Sequence, residues 1–129
     1  MKNRSLLAVI ELTVMILFFA LAAAVCVDCF VRADQRSAHN AARDEAMLQA
    51  ECTAELLKSL RGDLSAQPQY TADGNGWQST FLCGKTLCCM TVTLSEPQPL
   101  LGSAEILVTD SSGSQLATLQ VCWQEVAYE

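Results

Sequence analysis

Basic residues, histidine and proline are scarce in this 129-residue sequence. It contains eight lysines and arginines against fourteen acids, with one histidine and three prolines. Lys2, Arg4 and Glu11 belong to the N-terminal region, so residues 28–129 hold six basic and thirteen acidic residues, a formal charge of −7. Because phosphate contacts dominate binding to nucleic acid, an acidic domain without a basic patch argues against nucleic acid as a partner.

The groups that carry most enzyme chemistry are also scarce. His39 is the only histidine, so no Ser/His/Asp set is present and acid–base catalysis by histidine is not predicted. Asp44-Glu45 lies on the polar face of a predicted helix, where solvation accounts for it. Gly84-Lys85-Thr86 is similar to the end of a phosphate loop, but Ser79 stands where that loop needs glycine, and a hairpin turn is predicted instead. The sequence predicts no enzyme and no cofactor.

One long apolar run stands near the N-terminus. The stretch LLAVIELTVMILFFALAAAV, residues 6–25, is apolar except for Thr13 and Glu11. A membrane helix needs about 20 mostly apolar residues, and Leu6 to Val27 meets that length. Lys2 and Arg4 flank its start, so the positive-inside rule places the N-terminus in the cytoplasm and the remainder outside the cell membrane, as a single-pass protein.

Three interpretations of this run remain open. A cleaved signal peptide is one, with small residues at Ala22 and Ala24, although the run exceeds the usual 7–15 residues. A plain signal anchor that tolerates Glu11 is the second. The third is a helix whose Glu11 has a partner, since an acid in a bilayer costs about 2.5–3.5 kcal/mol and usually faces one.

The helix is predicted to continue beyond the membrane. Between Asp28 and Leu60 there is neither glycine nor proline, and Arg61-Gly62 is typical of a helix end. Apolar residues in this part recur at i, i+4 spacing; they are Ala38, Ala42, Ala46, Ala50, Ala54 and Leu57, with Met47, Leu56 and Leu60 beside them. We therefore expect one helix from about residue 6 to residue 60, with an amphipathic outer half over residues 31–61.

Short alternating runs follow after Gly62. Residues 65–77 (SAQPQYTADGNGW) and 95–103 (SEPQPLLGS) are typical of loops. Period-2 alternation predicts antiparallel strands; these are Trp77–Cys83, Leu87–Leu94, Ala104–Thr109 and Gln115–Gln124. The apolar face of such a sheet needs a cover, and the alanine stripe is the only large one available. The predicted fold class is α+β, a long N-terminal helix on a small antiparallel sheet.

The seven cysteines allow several arrangements. They are Cys26, Cys29, Cys52, Cys83, Cys88, Cys89 and Cys122. A metal or redox role is not predicted for Cys26-x-x-Cys29, because the pair lies within a continuous helix with no converging ligands. Cys83 and Cys88 are predicted to face each other across a hairpin, while Cys89 and Cys122 fall on the polar faces of their strands. These four are the candidate disulfide cysteines, and reduced thiols remain the equal alternative.

This sequence resembles the type IV pilins and the pseudopilins of type II secretion. The resemblance rests on the basic leader MKNRS, on the early acid in the apolar run, on the uninterrupted helix and on the strand-rich C-terminal part. It divides the chain into a leader (1–5), a transmembrane part (6–30), the amphipathic outer half (31–61) and an extracellular sheet domain (62–129). The resemblance implies a filament subunit whose partners are the membrane, other pilin-like subunits and a prepilin peptidase.

The resemblance also assigns roles to residues. Glu11 matches the acid at mature position five that meets the N-terminal amine of a neighbouring subunit during assembly. That match makes Leu7 the first mature residue and Leu6 the residue before the cut, whereas a cut after Ser5 puts Glu11 at position six. Processing implies N-methylation, and the missing glycine before the cut favours a minor subunit. The alternative function is an anchored extracellular binding module with no filament role.

Overall fold

The computed structural model describes residues 2–96 and 98–125, in which one helix is followed by five strands. Helix α1 spans Lys2–Leu60. The strands are β1 (Thr71–Asp73), β2 (Gly76–Cys83), β3 (Thr86–Leu94), β4 (Leu101–Asp110) and β5 (Gln115–Gln124). The α+β fold predicted from the sequence is confirmed, and the helix begins four residues earlier than expected.

The chain separates into two compact units, one up to Ala38 and the other from His39 onward. In the first unit α1 is the only element of the described residues, and its side chains are exposed throughout. In the second unit the outer part of α1, from His39 to Leu60, shares a core with the sheet. This division differs from the sequence-based boundary at residue 62, because the sheet buries its apolar face on the helix that precedes it.

The outer part of α1 ends in a left-handed turn. The Gly62 N–H donates to the Leu57 carbonyl at 2.9 Å, the long-range bond of a Schellman motif. Arg61 (φ 53°) occupies the left-handed position ahead of Gly62 (φ 81°). The predicted helix end is therefore confirmed, but the left-handed residue that directly follows the helix is Arg61 and not the glycine. Glycine is required at position 62 because an added Cβ would meet the Trp123 ring.

All five strands form one antiparallel sheet in the order β1-β2-β3-β4-β5. Each connection is a hairpin, and Gly84-Lys85 forms the predicted two-residue turn between β2 and β3. Two sequence-based assignments were wrong. The loop assigned to residues 65–77 contains β1, and β4 begins at Leu101, inside the predicted linker. Both errors fall on short or glycine-containing strand ends, where the period-2 pattern is weak.

The core lies between the alanine stripe and one face of the sheet. Ala46, Ala50 and Leu57 are completely buried. Opposite them lie the inward residues of β3, β4 and β5, of which the best buried are Met90, Val92, Ile106, Val108 and Val121. The predicted stripe is confirmed from Ala46 onward, whereas Ala38 and Met47 are exposed. Alanine at these positions lets the helix lie close to the β-branched side chains of the sheet.

One polar group is buried within this core. Thr53 is 1% exposed, and its hydroxyl lies 2.7 Å from the Tyr70 hydroxyl and 3.1 Å from the Met90 sulfur. A buried hydroxyl is costly unless it is hydrogen-bonded. This contact therefore fixes the segment before β1 on the helix.

Candidate functional site: the apolar helix and its carboxylate

The apolar part of α1 presents hydrophobic side chains on every side. Every residue from Lys2 to Ala41 is exposed, including the most exposed aromatic rings, Phe19 and Phe30, at 76% each. The segment is long and apolar enough to cross a membrane. Such a helix is stable only where lipid or other apolar helices surround it.

Glu11 lies near the start of this apolar part. Its side chain is exposed, and neighbouring Leu7 and Met15 stand one turn to either side on the same helix face. Among residues 2–96 and 98–125, Glu11 makes no hydrogen bond or ion pair. Thr13, the other polar residue here, donates to the Val9 carbonyl at 2.7 Å and so satisfies itself locally. In an apolar environment only Glu11 needs a partner from outside the chain.

The candidate processing residues Ser5, Leu6 and Leu7 all lie inside α1 and are exposed. They stand one to two turns before Glu11, which corresponds to about 6–9 Å along the helix axis. The spacing between this segment and the acid is consequently fixed by regular helix geometry.

Cys26 and Cys29 do not form a metal-binding cluster with other side chains of the described residues. Cys26 and Cys29 are both exposed, and the nearby charged pair Asp28–Arg32 is joined by an ion pair at 2.9 Å. Within the part of the chain that the structure describes, no three side chains of a metal-binding type come together. The arrangement thus contributes no metal-binding geometry.

The four candidate disulfide cysteines fall into two groups. Cys83 and Cys88 are both 1% exposed and lie on the core side of the β2–β3 hairpin, in the diagonal positions of the pairs Cys83↔Thr86 and Phe81↔Cys88. Burial raises the pKa of the Cys83 thiol to about 12, and the Cys88 thiol and then Glu45 add to the rise. Such a thiol is a poor nucleophile at neutral pH.

Cys89 and Cys122 are set apart by the sheet. Cys89 pairs with Thr109 and Cys122 with Ser103, so β4 lies between their strands and the two positions differ by six residues along it. Six residues of strand correspond to about 20 Å, far beyond the span of a disulfide. These two cysteines cannot bond to each other within the fold, whereas a Cys83–Cys88 bond stays a prediction.

A groove that the sequence did not indicate runs along the outer edge of β5. Two clefts, of about 700 and 460 Å³, lie between the outer part of α1 and this strand. The helix side is formed by Asn40, Arg43, Asp44, Met47, Glu51, Ala54, Glu55 and Lys58, and the strand side by residues 115–122. We call this surface the edge groove. Nothing in the sequence marks it, because only the strand order shows that β5 is an edge.

No protein-family model, no curated protein and no solved structure matches this chain at a significant level. The class of protein is therefore defined by its fold and by the apolar segment of α1 alone. It is an α+β protein whose N-terminal helix is long and apolar enough to span a membrane once.

Proposed function

We propose that this chain is a structural subunit of a pilin-like filament, of the minor pilin or pseudopilin type that serves a type IV pilus or a type II secretion or competence system. One observation supports it most. A single unbroken helix carries a fully exposed apolar segment with the unpartnered Glu11, and then continues as the part on which the sheet packs.

The physical argument concerns what Glu11 meets when the apolar segments of several copies associate. A carboxylate among apolar helices is tolerated only when a cation or hydrogen-bond donors compensate it. Cleavage near Ser5–Leu7 creates an α-amine one turn or so before Glu11. A neighbouring copy shifted by that distance brings its amine level with this carboxylate, and the pair sets the stagger between subunits.

A second candidate function is an anchored binding module, and the edge groove favours it. This function requires neither cleavage nor a partner for Glu11, since one acid near the end of a membrane helix can reach the interface or become protonated. The two functions therefore differ in what happens to the first seven residues.

The first test is the intact mass of the protein extracted from its native membrane. Loss of the first five or six residues with one added methyl group is the expected result for a filament subunit. A full-length mass contradicts prepilin-type processing and favours the anchored module. Loss of all residues through Ala24 contradicts both functions, because it removes the membrane segment.

The second test is Glu11→Gln, which keeps the side chain's shape and removes its charge. We expect the variant to insert in the membrane and fold its outer unit, yet to enter sedimentable filaments at least tenfold less. Glu105→Gln, which changes an exposed acid on β4, is the matched control. Normal incorporation of the Glu11 variant would contradict the assembly role.

A further inference from the structure

We propose that the edge groove is a docking site for an extended segment of a different polypeptide, which adds to the sheet as a sixth strand beside β5. This proposal rests on the second unit of the structure alone and does not depend on the filament function.

The first observation is that β5 is a long, unprotected edge. It pairs only with β4, and no other hydrogen bond of Gln115 to Gln124 with backbone or side chain occurs among residues 2–96 and 98–125. An edge strand offers a row of unpaired N–H and C=O groups, and proteins normally shorten it or place charges or proline there. The ten residues QLATLQVCWQ contain no charge and no proline. The opposite edge, β1, has only three residues and includes Asp73.

The second observation is that the helix side of the edge groove, which we call the wall, matches β5 in length. The wall runs from Asn40 to Lys58 and covers 18 residue steps, about 27 Å of helix. The β5 residues that it faces, 115–122, cover about 24 Å of strand. A strand added to β5 would therefore lie along this part of the helix, with its inward side chains towards Met47, which is 40% exposed.

The sequence of β5 argues against a second copy as the occupant. Residues 115–118 lie beside residues 40–47 of α1, and Trp123 lies against Gly62 just after the helix end, so β5 runs in the same direction as the outer helix. Antiparallel pairing of β5 with its own copy makes the two outer helices run in opposite directions. In that arrangement the strand added beside Glu51 is QLATLQVCWQ, which carries no charged residue and so supplies no partner for that carboxylate.

Pairing between copies of equal orientation is also weak. In this sheet β1 and β5 run in the same direction, so β5 of one copy meets β1 of the next in parallel, over only three residues. A segment from another polypeptide has neither restriction. Main-chain hydrogen bonds then supply affinity, and alternate side chains supply specificity.

The charges of the wall define the chemistry of that segment. Lys58 is paired with Glu55 at 3.0 Å, whereas Arg43, Asp44 and Glu51 have no ion pair in the described residues. Arg43 and Asp44 carry opposite charges at one end of the groove, so Glu51 is the uncompensated charge midway along it. The segment that fits has apolar residues at alternate positions and a basic residue midway along the same face, opposite Glu51. Opposite charges across such an interface give specificity more than affinity.

The test uses the full chain in detergent micelles and a nine-residue probe peptide. In the probe, valine alternates with threonine, and arginine replaces the central valine. We expect hydrogen exchange of residues 115–124 to slow at least fivefold when the probe is present, with no change at β1. A probe N-methylated on one set of alternate residues loses this effect, and one methylated on the other set keeps it, because only one row of N–H groups faces β5.

Variants of the wall provide matched controls. Met47→Lys places a charge in the groove and is expected to weaken probe binding at least tenfold. Leu48→Lys, also on an exposed helix residue but outside the groove, is expected to leave it unchanged. A probe with glutamate in place of arginine is expected to bind at least threefold more weakly.

Three results overturn the proposal. The first is an equal slowing of hydrogen exchange at β1 and β5 when the probe is added. The second is an equal weakening of probe binding by both lysine variants. The third is hydrogen exchange of β5 that is slow without the probe and becomes slower as the protein concentration increases. The last result assigns the groove to a second copy. Since none of these readouts uses filaments or processing, failure here leaves the proposed function untouched.

Discussion

At the scale of single residues, Trp123 and Gly102 show how closely the outer unit is packed. A Cβ added to Gly102 would lie 2.1 Å from the indole Nε1 of Trp123 and 2.2 Å from Cε2. The ring is 8% exposed, and its Nε1 has no hydrogen-bond partner in the part of the chain described. The indole therefore packs against backbone that only glycine leaves open.

Gly102→Ala is accordingly expected to destabilise the protein by about 1–3 kcal/mol, the usual cost of overpacking. Denaturant unfolding of the full chain in micelles measures it. Trp123→Phe removes the atoms that clash. In a Trp123→Phe background, Gly102→Ala is therefore expected to lower the free energy of unfolding by less than it does in the natural sequence. Equal costs in both backgrounds would contradict the proposed contact.

A second prediction at this scale concerns Cys83 and pH. Burial first, and then the Cys88 thiol, raise the pKa of Cys83 from 9.0 to about 12. Between these values the folded protein holds a proton that the unfolded chain releases, so its stability falls as pH rises. In the presence of reductant we expect the melting temperature to decrease from pH 8.5 upward.

The Cys83→Ala variant should lose most of this pH slope, while Cys122→Ala, which changes an exposed thiol, should keep it. Oxidised protein with a Cys83–Cys88 disulfide should also lack the slope, because no thiol remains to titrate. An unchanged slope in Cys83→Ala would show that another group is responsible.

At the scale of elements, the alanine stripe of α1 decides how the sheet lies on the helix. Ala46 and Ala50 are completely buried against the sheet, and a larger side chain there must push the two layers apart. Ala50→Leu is expected to lower the free energy of unfolding by about 1–3 kcal/mol.

Ala41→Leu is the control for this change. It introduces the same side chain into the same helix at an exposed position, so it is expected to alter stability by no more than about 0.5 kcal/mol. Circular dichroism of both variants during chemical denaturation gives the comparison. Equal effects would show that helix propensity, and not packing, sets the cost.

At the scale of the whole molecule, the N-terminal charges are expected to set orientation in the membrane. Lys2 and Arg4 stand before the apolar run, and the flank after it is mixed, with Arg32 and Arg36 among acids. Replacing Lys2 and Arg4 by glutamate should reduce the fraction of chains whose outer unit lies outside the cytoplasm.

Protease protection of the outer unit in intact cells measures this fraction. The double variant Arg32→Glu with Arg36→Glu is the control, and it should leave the orientation unchanged or strengthen it. Unchanged orientation in the Lys2/Arg4 variant would mean that these residues do not determine topology.

Much of the fold could be predicted from the sequence because its signals are local. Absence of glycine and proline up to Gly62 indicates one helix, and alternation predicts four of the five strands. The missed strand, Thr71–Asp73, has three residues, too few to show a period. The start of β4 at Leu101 was missed since Gly102 and the nearby prolines are typical of loops.

The features of the candidate site were likewise predictable from the sequence only where their signals are local. The sequence by itself determined the apolar segment, the position of Glu11 within it and the acidic outer unit, since each depends on residues that follow one another along the chain. The proximity of Cys83 and Cys88 was also predicted, because one short hairpin joins them. Only the tertiary structure decided that Cys89 and Cys122 are far apart and that β5 is an edge strand beside α1. Those relations depend on which strands lie next to each other, and strand order is fixed by long-range packing that a local pattern does not encode.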